Sequence, residues 1–250
     1  DGEFVWLIGD DDLLVSQSLN RLNQLINTNS NVDFFFVNSF HLTTEYVFSF
    51  DQPFEINNFP INMEPFSKFN NDGVLDFMDL INPKISFDFL GGMFLSVFKR
   101  KNWIESVDII DDKALISKNT FSHFDNTFPH ITIFSKAFAK SKAYFNSKPL
   151  IVSLTGAREW APMYPFIRSV RLIEALNEYK KNGLSSYNYH LCRNYALRTF
   201  IPDLAWIVLN YKDSGIQYIK PIKHIFSNIL YPNLYMSVFY YIRRKILNLK

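Results

Sequence analysis

Residues 4–8, Phe4-Val5-Trp6-Leu7-Ile8, form an unbroken apolar run of β-branched and aromatic side chains, the pattern of a strand buried on both faces. The run stops at Gly9. Beyond Asp10-Asp11-Asp12, the positions Leu14, Ser18, Leu19, Leu22, Leu25 and Ile26 recur at helical spacing, which predicts an amphipathic helix with an aspartate near its start as cap. Residues 32–37, with three consecutive phenylalanines, predict a second buried strand, and 46–50 a third. From 52 to 71, prolines, asparagines and isolated aromatics show no period, which predicts an ordered, irregular loop crossing the surface or covering a site.

Val74, Phe77, Met78 and Ile81 are spaced for a short helix ended by Asn82-Pro83. Residues 87–98 then read as a strand passing through Gly91-Gly92, where another backbone approaches closely. Pro129 suits the first turn of a helix through Ile133, Phe134, Ala137 and Phe138, and 149–154 reads as a last strand. After Pro165 the spacing of Val170, Ile173, Leu176, Leu184, Tyr187, Leu191 and Ala196 is helical, with few strand signals. The pattern therefore predicts an α/β domain over residues 1–158, a mixed sheet flanked by helices, followed by a helical extension over 159–250.

Composition narrows the classes. The chain has 250 residues, 48% of them hydrophobic and 20% charged, which is enough to bury a core and excludes a disordered chain. Its 26 basic and 24 acidic residues leave a net charge of +2, too balanced for wrapping nucleic acid. The single cysteine, Cys192, rules out an intramolecular disulfide and a four-thiolate zinc site, and any metal is expected to be held by oxygen or imidazole. No run approaches the roughly 20 apolar residues that cross a bilayer. The start, Asp1-Gly2-Glu3, is not that of a signal peptide and lacks a methionine, from which a fragment and a cytoplasmic location are expected.

The acidic triplet follows the carboxyl end of a buried strand, where open α/β sheets place their ligands. Adjacent carboxylates repel one another, and a cation offsets that repulsion. Oxygen-only ligation favours Mg²⁺ or Mn²⁺, ions that bridge carboxylates to substrate phosphates. A helix cap in an Asp-rich turn explains the same residues without a ligand.

Residues 5–14, Val-Trp-Leu-Ile-Gly-Asp-Asp-Asp-Leu-Leu, resemble the acidic Asp-x-Asp motif of family 2 glycosyltransferases with the GT-A fold, above all the abequosyltransferase-like enzymes of bacterial surface polysaccharide assembly. The likeness continues at Phe89-Leu90-Gly91-Gly92-Met93-Phe94, at Lys99-Arg100-Lys101 with Trp103, and at Phe128-Pro129-His130. The resemblance implies a GT-A-like domain that transfers a sugar from a nucleotide-sugar donor to a saccharide acceptor, lipid-linked in the synthesis of lipopolysaccharide, O-antigen or capsule. It implies Mn²⁺ or Mg²⁺ as cofactor and inversion at the anomeric carbon. Asp10, Asp11 and Arg100 would contact the donor, with Asp11 or Asp12 as direct metal ligand. Two departures stand out. Gly9 occupies the place where many members carry the first aspartate, and a single strand precedes the motif where such enzymes have a β-α-β half for the nucleobase.

An inverting transfer needs a base for the acceptor hydroxyl. The Glu-Asp pair many such enzymes use is absent, and the local candidates are Asp125 and His130, with Asp111 and Asp112 upstream. A histidine in the first turn of a helix has its positive form disfavoured by the helix dipole, which suits a neutral base or a metal ligand. His41, His190 and His224 have no acidic or thiol partner at useful spacing and receive no role, and Cys192 reads as a buried thiol. Arg158 is a further phosphate candidate. Residues 234–250 combine apolar residues with Arg243, Arg244 and Lys245, a composition that suits either an anionic membrane surface or packing on the domain. Two rival functions follow from the same residues: a non-catalytic saccharide-binding or degenerate transferase, and a metal-dependent phosphoester hydrolase.

Overall fold

The computed structural model describes residues 2–119, 121–156 and 160–247. The chain divides into two compact units, Asp1–Val107 with Lys136–Glu159 and Asp108–Ser135 with Trp160–Lys250. Residues 108–135, which the sequence pattern groups with the sheet, thus belong with the C-terminal helices.

The first unit is built on six strands: β1 (Phe4–Trp6), β2 (Leu13–Leu14), β3 (Phe34–Thr43), β4 (Gly73–Asp76), β5 (Ser96–Lys99) and β6 (Lys142–Thr155). They form one mixed sheet in the order β1-β5-β3-β6-β2, with β4 pairing along the first half of β6. β3 and β6 are parallel, and β5 runs antiparallel to both β1 and β3. Consequently β1, β3 and β6 all point the same way.

The phenylalanine run explains why β3 is central. Successive strand residues face opposite sides of a sheet. Phe35 and Val37 pack with Leu22, Leu25 and Ile26 of helix α1 (Ser18–Thr28), while Phe34 meets Phe77 and Phe138 edge-on at 4.9 and 5.4 Å. β3 and β6 shift register between Val37 and Ser39. There the buried Asn38 amide donates to the carbonyls of Ser67 and Ser147 and accepts from the N–H groups of Ser39 and Ser67, so its bonding capacity is filled. The irregular loop past Gln52 packs Phe54, Phe59 and Met63 against Leu42, Val152 and Leu154.

Several local expectations are corrected. Leu13-Leu14 pair with Val152 and Ile151 instead of opening a helix, and α1 begins only at Ser18, after a left-handed Gln17 that gives no side-chain cap. Residues 46–50 are not a strand. The Thr43 hydroxyl accepts the Tyr46 N–H at 3.2 Å and starts helix α2 (Thr44–Phe48), with the Tyr46 and Phe50 rings in contact one turn apart. The predicted helix over 74–81 is strand β4 followed by a 3₁₀ turn at Phe77–Leu80. The predicted strand over 87–98 forms only from Ser96, because Phe89 and Leu90 both adopt left-handed backbone. The last strand starts at Lys142, well before Pro149. Helix α3 (Arg100–Ile104) follows β5 directly.

The second unit is helical: α4 (Asp112–Leu115), α5 (Phe124–Thr127), α6 (Pro129–Ala137), α7 (Tyr164–Phe166), α8 (Leu172–Lys181), α9 (Ser186–Ala196), α10 (Phe200–Leu209), α11 (Pro221–Phe226) and α12 (Pro232–Leu247). α6 opens at Pro129, as its proline predicts. A π-helical turn, Ile167–Arg171, joins α7 to α8. It places two arginines. Arg168 forks onto the buried carboxylate of Asp203, which also accepts from the hydroxyls of Ser169 and Thr199. Arg171, itself buried, pairs with Glu174 and donates to the carbonyls of Phe121 and Ser122, fixing the segment ahead of α5. Among the described residues no helix is long and apolar enough to cross a membrane.

Candidate functional site

β1, β3 and β6 share a direction, and Trp6 is level only with Phe35 across β5. The pairing of Leu13 with Val152 nevertheless brings the acidic turn before Leu13 towards the carboxyl edge of the sheet, where β3 ends at Thr43 and β6 at Thr155. The loop that enters β5 reaches the same edge, because β5 runs the opposite way. Carboxyl edges of this kind are where open α/β sheets bind ligands.

In the turn, the Gly9 N–H donates to Asp12 Oδ2 at 2.8 Å and the Asp12 N–H to the Gly9 carbonyl at 3.3 Å. A Cβ at residue 9 would lie 2.7 Å from Asp11 Oδ1 and 3.1 Å from Asp12 Oδ2. Two carboxylates thus lean over one bare Cα, and an aspartate in place of Gly9 would push them aside. Asp10 and Asp11 are exposed, Asp12 half-buried. Among the described residues no three His, Cys, Asp or Glu side chains converge as a ready-made metal cage. The turn instead fits an ion of the Mg²⁺ or Mn²⁺ kind, which takes one or two carboxylates and fills its other positions with water and substrate phosphate.

A second feature at this edge was not visible in the sequence pattern. Phe89 and Leu90 are both fully buried with φ of 54° and 66°, a conformation that costs bulky side chains energy. Asp88 holds the turn. Its Oδ1 accepts the Ser86 hydroxyl and its Oδ2 the Gly92 N–H, each at 2.7 Å, while the Leu90 N–H donates to Ser86 Oγ at 3.0 Å. Burial raises the Asp88 carboxyl above the usual carboxylate range, against the pull of these hydrogen bonds. A Cβ on Gly92 would strike the Phe94 ring at 2.8 Å and lie 3.1 Å from Asp88 Oδ2, so the neighbours at this glycine are side chains of its own loop and not the approaching backbone that the sequence predicts. The Trp6 indole N–H donates to the Phe94 carbonyl at 2.7 Å, tying the end of β1 to this loop. Ser86-x-Asp88 ahead of two glycines is the only trace it left in the sequence.

Arg100 stands elsewhere. The start of β1 pairs with the end of β5, and the Arg100 N–H donates to the Glu3 carbonyl at 2.8 Å, so Arg100 lies at the end of β1 away from the acidic turn. It lines an open groove of about 680 Å³ with Lys99, Lys101, Asn102, Glu3 and Asp33. Lys99 pairs with Asp33 at 2.9 Å and Lys101 lies 3.8 Å from Glu105.

The base candidates lie in the second unit. Asp125 is half-buried: Oδ1 accepts the Thr132 hydroxyl at 2.6 Å and Oδ2 the Asp111 N–H at 3.1 Å. The Asp111 carboxylate caps α4 through the Lys113 N–H, and Asp112 is the first residue of that helix. His130 is 2% exposed, edge-on to Phe128 and Phe134. Cys192 is fully buried and its thiol pushed up to about 12 by that burial, which makes it an inert packed thiol. Arg158 lies outside the described residues. No family model, no curated protein and no solved structure matches this chain.

Proposed function

We propose that this chain transfers a sugar from a nucleotide-sugar donor to a saccharide acceptor, lipid-linked in bacterial surface polysaccharide synthesis. One observation carries the reading: the carboxylates of Asp11 and Asp12 lean over Gly9 at the carboxyl edge of the sheet. The sequence resemblance supports it independently. Asp11 and Asp12 would hold the metal, and Asp10 would contact the nucleotide ribose. A bound Mn²⁺ or Mg²⁺ supplies charge to offset the leaving diphosphate. Because the turn offers two carboxylates and, among the described residues, no cage of three, an ion held by Asp11 and Asp12 would need further oxygen ligands, and nucleotide and metal would then bind together. For the acceptor proton the choice remains between Asp125 and His130. Asp125 is the better supported, since it keeps solvent access and its two oxygens are oriented by Thr132 and the Asp111 N–H.

Calorimetric titration of the chain with UDP, GDP, CDP and dTDP, each with and without Mn²⁺, tests the reading. One nucleotide is expected to bind with Mn²⁺ and only weakly without it. Asp11→Asn keeps the size and removes a charge, and should weaken that binding at least about tenfold, roughly 1.4 kcal/mol. Absence of Mn²⁺-dependent binding, or binding that Asp11→Asn leaves unchanged, sinks the proposal.

A further inference from the structure

The near-neutral net charge hides a division. Up to Asp213 the chain carries 20 basic and 24 acidic residues; from Ser214 to the end it carries six basic residues, Lys220, Lys223, Arg243, Arg244, Lys245 and Lys250, and no acidic one. The same stretch holds a cluster of apolar side chains in water. Ile222 and Phe226, one turn apart on α11, are 71% and 67% exposed, and Leu230 in the following turn is 90% exposed. Lys220 and Lys223 are exposed beside them.

This turn is not loose chain. The Asn228 side chain is fully buried: its amide donates to the His224 carbonyl at 2.7 Å and its carbonyl accepts Arg193 Nε at 2.9 Å. The same guanidinium donates to the Ser227 carbonyl and lies over the Tyr231 ring, whose hydroxyl meets His190 Nδ1 at 2.8 Å. The Tyr235 hydroxyl donates to the Ile229 carbonyl at 2.7 Å. The polar groups of the turn are therefore satisfied from α9 and α12, and Leu230 is held outward. α12 continues the pattern. Leu234 and Ser237 face inward, while Tyr235, Phe239 and Ile242 recur on its exposed face.

We propose that α11, the turn at Ile229-Leu230 and the outer face of α12 dock on a bilayer carrying anionic lipid headgroups. An interfacial surface needs an apolar face that enters the acyl boundary, basic residues for the headgroups and tyrosines between them, and all three are present. Protein interfaces are depleted in lysine, and exposed apolar side chains on a helix that carries the exposed Lys220 and Lys223 at its start suit lipid better. The helices lie on the membrane and do not span it. The inference stands without the transferase reading.

Flotation of the full chain with phosphatidylcholine vesicles, with and without phosphatidylglycerol, tests it. Binding should be at least about tenfold tighter to the anionic vesicles and should weaken as salt rises from about 0.1 M to about 1 M. Leu230→Glu, at a site so exposed that folding is unaffected, should lower binding about tenfold or more, and Lys220→Glu with Lys223→Glu should remove much of the salt dependence. Equal or absent binding to both vesicle types, or binding indifferent to Leu230→Glu, overturns the proposal. So does sedimentation showing a dimer that Leu230→Glu makes monomeric without any vesicle binding, since the face would then join two copies of the chain.

Discussion

At the scale of single residues, Gly9 is the most informative position. Where the resemblance expects an aspartate the chain has a glycine, and the carboxylates of Asp11 and Asp12 lie in the space a Cβ would fill. Those oxygens end flexible side chains in an exposed turn, so Gly9→Ala displaces them at little cost in stability. The expected outcome is a thermal midpoint within about 2 °C of the parent together with at least about fivefold weaker Mn²⁺-dependent nucleotide binding. Calorimetry on the two proteins decides it; unchanged nucleotide binding would mean that the convergence of Asp11 and Asp12 has no part in holding the ion. The identity of the acidic residues was legible in the sequence, but their convergence was not. It depends on how the turn folds back so that the Gly9 N–H meets Asp12, and spacing alone carries no such information.

At the scale of elements, the turn ahead of β5 joins backbone strain to a half-buried, hydrogen-bonded carboxyl. Ionised Asp88 is disfavoured by burial, so its folded pKa lies above its unfolded one. For a raised acid the folded state binds the proton more readily, and the penalty is present at neutral pH and fades as pH falls through the raised value towards 3.8. Asp88→Asn removes the titration while an amide oxygen still accepts the Gly92 N–H. The stability difference between parent and variant should therefore shift in the parent's favour between about pH 7 and pH 4, read from urea midpoints; a pH-independent difference would mean that Asp88 titrates normally. β3 could be read from the sequence because burial on both faces decides it, and the body of α1 from its apolar spacing, but not its start or cap. The continuous run 4–8, read as a strand buried on both faces, is a half-buried strand that ends at Trp6 and leaves Ile8 exposed. The failures share a different cause. Phe89 and Leu90 carry no glycine to announce left-handed backbone, a threonine hydroxyl turned 44–48 into helix, and the edge strand β4 has apolar residues that also fit helical spacing.

At the scale of the whole chain, charge is the property that local patterns conceal, and in the second unit it gathers around His224. Its imidazole is pushed below the ordinary value first by burial and then by Lys223, Arg171 and Arg193, cations contributed by α11, the π-helical turn and α9. For a lowered base the folded state resists the proton. Above the ordinary 6.5 both states are neutral and the group adds nothing; as pH falls below 6.5 the unfolded chain takes up the proton first, and folding loses stability until the lowered value is passed. His224→Gln should flatten the decline in thermal midpoint between about pH 7 and pH 5, and added salt should flatten it in the parent by screening the cations. Among the described residues the hydrogen bonds of His224 are made by its backbone, the N–H to the Lys220 carbonyl and the carbonyl from Asn228 and Ser227, so the substitution keeps them. A variant that declines with acid as steeply as the parent would assign the acid sensitivity of the helical unit to its carboxylates, with the buried Asp203 beneath Arg168 as the next group to replace.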